Sequence, residues 1–358
     1  MTINKFTESA VPINKIAEDL GFLTRRFGFD FIKSMNAKRF RNIVNSYIAR
    51  RFGFHIFKPL RPATLFIEVV RGCNFSCVMC PASQFEIQFM SFDTFKEILE
   101  KFHDATFIFP YGVGEPFLNK ETYKMLKYAV QKGFQITPFT NLSKIDPDEL
   151  IKTGVKYVFA SIDSTNPQEF SQIRKNGNLD KFIENLKLII ERKKTLNSYT
   201  PKIGFSITLF DNNTEDIESV VELGLSYGVD TFFFQTVFKV DILDTPGDIP
   251  TKQQIEKVKS LKSKYKGRAR ILLTSHYDYE KGDFFTGYCL FAYTTIFIDV
   301  EGKIFPCVYA APISKRNQNF GYISDVDGAI SKRQTFLENF RKAKPEYCKG
   351  CPVYCRNF

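Results

Sequence analysis

The chain contains no tryptophan and only three histidines, His55, His103 and His276, which lie far apart in the sequence. Histidines that share a metal ion through a local motif recur at short spacings, so these three do not indicate a histidine-rich metal site. Phenylalanine, in contrast, occurs 39 times. This abundance predicts an aromatic-rich core.

The sequence also lacks the segments that direct a chain into or across a membrane. No apolar run approaches the roughly 20 residues that a membrane-spanning helix needs. The first residues, MTINKFTESAVP, do not show the charged and then apolar pattern of a secretory signal peptide. We therefore expect a cytoplasmic protein, in which eight cysteines are more often metal ligands than disulfides.

The net charge of +11 is unevenly distributed along the chain. Residues 25–61 contain ten Lys or Arg and one acid, Asp30. Helical spacing is evident there in the apolar residues Phe40, Ile43, Val44, Tyr47 and Ile48. Two interpretations stay open: a solvated helix packed on a catalytic domain, or a helix that contacts an anionic surface, such as the inner membrane face or a lipid-linked substrate. No nucleic-acid-binding motif is present, so we expect no nucleic acid partner.

From residue 62 onward, short apolar runs alternate with amphipathic helical patterns. The pattern predicts six strands, at Thr64–Val70, Ala105–Phe109, Gln135–Phe139, Tyr157–Ile162, Lys202–Leu209 and Thr231–Gln235. Six β-α units in succession predict an α/β fold with a parallel sheet, curled into an open, partial (β/α)6 barrel. Ligands in such folds bind at the carboxyl ends of the strands.

The pattern changes after residue 284. The segment YTTIFIDVEGKIFPCVYAA alternates around Glu301-Gly302, which predicts a β-hairpin, and the helical stretch SKRQTFLENFRKA follows. We therefore expect three parts: a basic helical N-terminal extension (1–61), the barrel (62–284) and a small C-terminal α+β domain (285–358).

Three cysteines, Cys73, Cys77 and Cys80, follow the first predicted strand in the stretch EVVRGCNFSCVMCPAS. A structural zinc site or an ordinary iron–sulfur cluster uses four protein ligands. Three thiolates leave one metal coordination position open, and an open position is available for chemistry.

The spacing Cys-x3-Cys-x2-Cys, together with its surroundings, resembles the radical S-adenosylmethionine (radical SAM) superfamily. The resemblance implies that Cys73, Cys77 and Cys80 hold a [4Fe–4S] cluster whose fourth iron binds S-adenosylmethionine. It also implies reductive cleavage of this cofactor to a 5′-deoxyadenosyl radical, which abstracts hydrogen from a substrate. A reductant such as flavodoxin or ferredoxin would supply the electron.

Other positions that match the family's cofactor-binding residues lie at successive strand ends. In YGVGEPFLN, Gly114 and Glu115 match the motif that binds the cofactor's amino group, although Val113 replaces its usual first glycine. The remaining implied contacts are Met79 with adenine, Ser161 with ribose or carboxylate, Arg174 with carboxylate and Asn213 with the ribose hydroxyls.

A second cysteine set, Cys289, Cys307, Cys348, Cys351 and Cys355, resembles the auxiliary-cluster module called SPASM, or its shorter form, twitch. Seven cysteines support two clusters in the full module, and five cannot fully ligate two. The resemblance implies one auxiliary [4Fe–4S] cluster on Cys289, Cys307, Cys348 and Cys351. Cys355 is then spare, or it replaces Cys348. A structural zinc site is the alternative for these thiols.

Relatives with an auxiliary module often perform two-electron oxidations of sugars, cyclitols or peptide side chains, and others epimerise. We expect a two-electron oxidation of a carbohydrate-like or lipid-linked small molecule, because the N-terminal segment lacks the strand signals of the family's peptide-binding domain. A peptide substrate and redox-neutral epimerisation remain alternatives. A non-catalytic zinc-binding interaction protein is an alternative of another class. Candidate acceptors for the proton released on oxidation are Asp163, Glu68 and Gln235.

Overall fold

The computed structural model describes residues 35–52, 56–210, 213, 216–237, 251–274, 277–278, 283–284, 289–311, 318–342 and 345. The helices are α1 (Ala37–Phe52), α2 (Phe92–Lys101), α3 (Thr122–Gln131), α4 (Pro147–Lys152), α5 (Pro167–Ile173), α6 (Leu179–Thr195), α7 (Ile217–Ser226), α8 (Lys252–Lys264), α9 (Leu290–Thr294) and α10 (Val326–Lys342). The strands are β1 (Thr64–Ile67), β2 (Val70–Arg71), β3 (Ser76–Cys77), β4 (Gln88–Phe89), β5 (Phe107–Phe109), β6 (Gln135–Ile136), β7 (Phe139–Thr140), β8 (Tyr157–Ser161), β9 (Arg174–Lys175), β10 (Lys202–Leu209), β11 (Thr231–Thr236), β12 (Arg270–Thr274), β13 (Tyr277–Asp278), β14 (Asp283–Phe284), β15 (Thr295–Ile298), β16 (Lys303–Phe305) and β17 (Gly321–Tyr322).

Several helices begin at the polar caps that their sequences supply. Ser91 before α2, Asn166 before α5 and Asn178 before α6 each accept a hydrogen bond from a backbone N–H of the first turn. Thr251 and Gln254 form a reciprocal capping box at the start of α8. These caps satisfy N–H groups that have no partner inside the helix, and they mark where each crossover helix starts.

Two sheets form the barrel wall, and their strands are parallel except that β16 and β17, at one edge of the first sheet, pair antiparallel. One has the order β17-β16-β15-β1-β5-β6 and the other the order β12-β11-β10-β8-β7. All six predicted strands are present, and the third is split into β6, which pairs with β5, and β7, which pairs with β8. Pro138 lies between the two halves and has no N–H to continue the ladder, so the strand is interrupted there. The α/β fold with a parallel partial barrel is thus confirmed.

Two further strands extend the parallel wall. β12, which the sequence pattern did not predict, pairs in parallel with β11. β15 pairs in parallel with β1, with Thr64 opposite Thr295. The predicted hairpin around Glu301-Gly302 is present between β15 and β16, so its first strand belongs to the barrel sheet. The run TIFI in β15 is buried on both faces, which is typical of strands inside parallel sheets.

Alternation along each strand separates an outer from an inner face. The outward side chains, such as Leu65 on β1, Val158 on β8 and Phe232 on β11, pack with the crossover helices in the main core and are fully buried. The inward side chains alternate with them, and towards the carboxyl ends of the strands they face the cavity described below.

Helix α1 packs on the barrel through one of its arginines. Arg39 is buried and donates hydrogen bonds to backbone carbonyls at the ends of α2 and α3, while its guanidinium lies 4.4 Å from the ring centroid of Phe134. Ile43 and Ile48 are buried as the spacing predicted, but Phe40 is 46% exposed. Phe40 therefore lies at the surface, while the planar guanidinium of its neighbour Arg39 satisfies helix-end carbonyls at the interface. Within the described ranges, no helix is both long and apolar enough to cross a membrane.

Candidate active site

The three closely spaced cysteines, Cys73, Cys77 and Cys80, line one cavity of about 220 Å³. Ser161 and Gln235, which lie at the ends of β8 and β11, line the same cavity. The cavity therefore lies at the carboxyl ends of the parallel strands, where ligands bind in this class of fold.

A short ladder on its far side holds the cysteine loop. β3 pairs in antiparallel register with β9, which places Cys77 opposite Arg174, and the N–H of Val78 donates to the carbonyl of Ile173 at 2.9 Å. Gly177 lets its loop approach the cysteine loop closely, because a Cβ at this position would lie 2.8 Å from the ring of Phe75. The spacing of the thiols thus depends on a segment nearly one hundred residues away in the chain.

Burial raises the pKa of each thiol in this loop. The pKa of Cys73 rises to about 11 and that of Cys77 to about 12, and the pKa of Cys80 is also raised, in each case mainly because burial disfavours the thiolate. Buried thiolates need a positive partner, and bound iron is one.

The donor set fits a cluster that keeps one coordination position open. Among the described residues that line the cavity, no fourth cysteine and no histidine occurs. The described residues also contain no group of three or more Cys, His, Asp or Glu side chains arranged to hold a single metal ion. Three thiols and room for a larger group in the cavity are compatible with a [4Fe–4S] cluster and an exchangeable ligand.

The strand end that carries Gly114 comes very close to the cysteine loop. Gly114 forms a parallel bridge with Gly72, and a Cβ on Gly114 would lie 2.1 Å from the carbonyl oxygen of Val70. Only glycine permits this approach. Val113, which departs from the family's motif, is 5% exposed and packs in a small apolar cluster that also contacts Cys73 and Cys80. The departure therefore leaves the backbone path intact.

Glu115 lines the cavity with a carboxylate held by the backbone. Its oxygens accept hydrogen bonds from the Thr140 hydroxyl at 2.7 Å, the Asn141 N–H at 2.8 Å and the Phe117 N–H at 3.2 Å. Burial outweighs these bonds and raises the pKa of Glu115 to about 7. A buried carboxyl in this state is suited to a cationic ligand, whose charge would favour the ionised form. The amino group of S-adenosylmethionine fits this requirement.

Arg174 faces the cavity with its charge already partly compensated. Its Nη2 lies 2.7 Å from Oδ2 of Asp163, and its Nη1 lies 4.0 Å from the sulfur of Cys77. Burial opposes the charge, but Asp163 and the neighbouring thiols hold the pKa of Arg174 above its usual value. Asp163 is fully buried and also accepts from the Thr208 N–H at 2.8 Å.

The candidate proton acceptors are not equally placed. Asp163 is bound to Arg174, and Glu68 is fully buried, bound to Arg71 at 2.9 Å and to the Val113 N–H at 3.2 Å. Gln235 lines the cavity. Among the described lining residues, Glu115 is the only one with a carboxylate.

Of the other predicted cofactor contacts, some line the cavity and one does not. Met79 and Ser161 line the cavity. Asn213 is fully buried and does not line it; its side-chain amide donates to the carbonyl of Thr208 at 2.7 Å and accepts from the N–H of Phe210 at 3.1 Å. The amide of Asn213 is thus engaged by the loop after β10.

The second cysteine set is described in part. Cys289 precedes α9 and packs against a buried cluster that includes Tyr293 and Leu337, while Cys307 precedes a short 3-10 helix, Val308–Ala310. The predicted ligands Cys348, Cys351 and Cys355 lie outside the described residues. The geometry of the auxiliary site therefore stays a prediction.

Several lining residues were not given individual roles from the sequence. Tyr111, Phe139 and Thr208 line the cavity, and so does Asn141, whose side-chain nitrogen lies 3.8 Å from the sulfur of Cys73 and 3.2 Å from Oδ1 of Asn74. Their common signal is position at or just after the carboxyl end of a barrel strand.

Comparison with known proteins gives a family for the central part of the chain. Residues 67–224 match the model of the radical SAM superfamily. The tungsten-containing aldehyde ferredoxin oxidoreductase cofactor-modifying protein of Pyrococcus furiosus is 25% identical over 178 residues, 46% of this chain and 49% of that protein. GTP 3′,8-cyclase of Hydrogenovibrio crunogenus is 26% identical over 186 residues, 48% of this chain and 54% of that protein. The matched segments span about half the length of these relatives.

Among solved structures, Streptococcus suis SuiB bound to S-adenosylmethionine is similar with a TM-score of 0.66 and 15% identity, over 82% of this chain and 73% of that chain. SuiB is also known bound to its precursor peptide SuiA, with a TM-score of 0.64. At this identity the likeness shows the fold.

Proposed function

Since residues 67–224 form a radical SAM domain, we propose that this protein is an enzyme that cleaves S-adenosylmethionine reductively and abstracts a hydrogen atom from a substrate. Enzymes of this superfamily use a [4Fe–4S] cluster and S-adenosylmethionine, which together supply the hydrogen-atom abstraction when bound. The observation that carries the proposal is the single cavity lined by Cys73, Cys77, Cys80 and Glu115.

The residues around the cavity have distinct proposed tasks. The three thiols hold the cluster, and Glu115 with the backbone at Gly114 holds the cofactor's amino group. Ser161 and Arg174 face its ribose and carboxylate, and Met79 packs near adenine. All of these residues line the cavity. Asn213 has a supporting task in this proposal, because its amide binds the backbone after β10.

For the reaction, we propose a two-electron oxidation of a carbohydrate-like or lipid-linked small molecule. The auxiliary cluster proposed for Cys289, Cys307, Cys348 and Cys351 would accept the second electron. Val308, the neighbour of Cys307, lines the cavity, which supports an electron acceptor close to it. The described lining offers no carboxylate besides Glu115, so in this proposal the released proton leaves to solvent.

A peptide substrate and redox-neutral epimerisation are the alternatives within the enzyme class. The complex of SuiB with its precursor peptide supports a peptide substrate as the second candidate. Redox-neutral epimerisation is the third and would use Cys355 as a hydrogen donor. A zinc-binding interaction protein is the alternative outside enzymes, and metal analysis separates it from the others.

The test is anaerobic reconstitution followed by reduction, with flavodoxin or ferredoxin as electron donor. We expect about eight irons per chain, from two four-iron clusters, and formation of 5′-deoxyadenosine. Replacing Cys73, Cys77 and Cys80 together with Ala should halve the iron and abolish 5′-deoxyadenosine. Stoichiometric zinc without iron in protein purified without air would refute the proposal.

We further propose that the N-terminal region contacts an anionic membrane. Arg41 on α1 lies 5.6 Å from the ring centroid of Phe57, and Phe57, Ile56 and Phe40 are large apolar side chains that are exposed. Exposed apolar groups beside cations are typical of membrane-surface contacts. The double variant Ile56→Ser with Phe57→Ser should lose co-sedimentation with vesicles of phosphatidylcholine and phosphatidylglycerol, and Tyr199→Ser, at an exposed aromatic elsewhere, should retain it. Equal binding to neutral and anionic vesicles, or binding that salt does not weaken, would contradict the contact.

A further inference from the structure

The inner face of the barrel carries a layer of aromatic rings one step before the residues that line the cavity. The rings belong to Phe66, Phe109, Phe139, Phe159 and Phe233, on five different strands. Strand register places Phe66 opposite Phe109 and Phe139 opposite Phe159. Contacting ring centroids are between 5.0 and 6.4 Å apart, so the five rings form one continuous layer.

The position of this layer along the barrel axis follows from the two-residue repeat of side-chain direction in a strand. Tyr111, Ser161 and Gln235 line the cavity, and each lies two residues after a ring of the layer. Side chains two residues apart in a strand share a face, so the rings lie next to the cavity on the inside of the barrel. Phe139 itself lines the cavity, which makes the layer its apolar floor.

The floor remains accessible, unlike the outer face of the same strands. Four of the five rings, those of Phe66, Phe109, Phe139 and Phe233, are partly exposed, and Phe159 is 7% exposed. Their outward neighbours in the chain, such as Leu65, Ile108, Phe232 and Phe234, are fully buried. A packed interior would seal both faces to the same degree. An apolar surface that stays accessible beside a cofactor cavity is instead typical of a ligand site.

The chemistry of the floor selects the kind of group that it can bind. The five phenylalanine rings have no hydrogen-bonding groups. On β10, Gly204 makes room for the ring of Phe159, since a Cβ on Gly204 would lie 2.5 Å from that ring. A sugar hydroxyl or a peptide N–H placed against the rings would lose its hydrogen bonds to water without replacement. A hydrocarbon group would lose none. Polar partners are available at the cavity level, on Thr208 and Gln235.

We propose that this aromatic layer is a substrate subsite for an apolar hydrocarbon group, carried by a molecule whose polar end faces Thr208 and Gln235. The inference rests on the proposed function, because such a substrate shares the cavity with S-adenosylmethionine. It narrows that function to amphiphilic substrates.

The absence of tryptophan from the chain provides the test. Phe233→Trp places a single indole in the layer, and Phe66→Trp provides a second position in case the first variant does not fold. Tyr199→Trp is the matched control, because Tyr199 is 85% exposed and lies outside the barrel lumen. Each variant is reconstituted, supplied with S-adenosylmethionine and titrated with heavy-atom quenchers of indole fluorescence. The quenchers are 10-bromodecan-1-ol for an alkyl group, 4-bromobenzyl alcohol for an aromatic group and 3-bromopropane-1,2-diol as the polar comparison.

We expect 10-bromodecan-1-ol or 4-bromobenzyl alcohol to quench the layer tryptophan saturably, with roughly tenfold higher apparent affinity than for Tyr199→Trp, since burying an apolar side chain contributes at least that much. The more effective of the two identifies an alkyl or an aromatic group. Quenching that does not saturate, that is equal in the control, or that the polar diol matches would overturn the subsite. Formation of 5′-deoxyadenosine is measured on the same samples after reduction with flavodoxin or ferredoxin. Its absence counts against the proposed function, and failed quenching with 5′-deoxyadenosine present counts against the subsite alone.

Discussion

Replacing Glu115 by Gln tests the electrostatics of the cavity without removing its shape. The glutamine keeps the length of the side chain and one acceptor oxygen, which can still receive the Thr140 hydroxyl or a backbone N–H. It removes the negative charge that the carboxyl of Glu115 acquires when the pH rises above its pKa of about 7. Arg174 favours this charge, but burial outweighs its effect.

The sign of the effect follows from proton binding in the two states. Between the ordinary value of 4.5 and about 7, folded Glu115 holds its proton while the unfolded carboxyl has lost it. The folded state therefore binds more protons, and the free energy of unfolding falls as the pH rises through this window. The raised pKa corresponds to roughly 3 kcal/mol over the window. The advantage of the wild-type protein over Glu115→Gln should shrink by about that amount from pH 4.5 to above pH 7.

Urea unfolding of the cluster-free protein across this pH range measures the difference. Thr140→Val and Thr140→Ser form a matched pair, because only valine removes the hydroxyl that donates to Glu115. Valine should raise the pKa of Glu115 further and move the window to higher pH, and serine should leave it in place. In the reconstituted protein, Glu115→Gln should weaken binding of S-adenosylmethionine while iron content stays nearly unchanged. A pH-independent stability difference would refute the reasoning on burial, and unchanged cofactor affinity would refute the role assigned to Glu115.

Three further outcomes are expected. Gly114→Ala should lower the affinity for S-adenosylmethionine at least tenfold in equilibrium binding, because its Cβ would overlap the carbonyl of Val70 and displace the strand end; wild-type affinity would contradict the close approach. Arg39→Lys should destabilise the protein by about 1–3 kcal/mol in urea unfolding, because an ammonium cannot satisfy all three carbonyls that the guanidinium reaches; Arg41→Lys, at an exposed position, is its control. Cys355→Ala should retain oxidised product if the reaction is an oxidation. Incorporation of one solvent deuterium into the product, with unchanged oxidation level, would show epimerisation instead.

Much of the fold could be predicted because its signals are local. In the run Lys202–Leu209, side chains that face the helices alternate with side chains that face the inside of the barrel. The observed strand β10 has the predicted bounds. The Glu301-Gly302 turn needs a positive φ, which Gly302 supplies at 80°. The cysteine triplet is local as a motif, since its three cysteines lie within eight residues, 73–80. Period, turn chemistry and short spacing act within about ten residues, so the sequence determined them alone.

Only the tertiary structure decided which distant segments meet. The parallel pairing of β15 with β1 joins residues more than two hundred positions apart, and the ladder that places Cys77 opposite Arg174 joins residues nearly one hundred apart. Asp163 is engaged by an ion pair with Arg174, and Asn213 is buried, although the types of both side chains allowed other partners. Such outcomes depend on burial and on competition among all possible partners. The type of a residue determines what it can bind. The packed fold determines which partner contacts it and whether its side chain remains in contact with water.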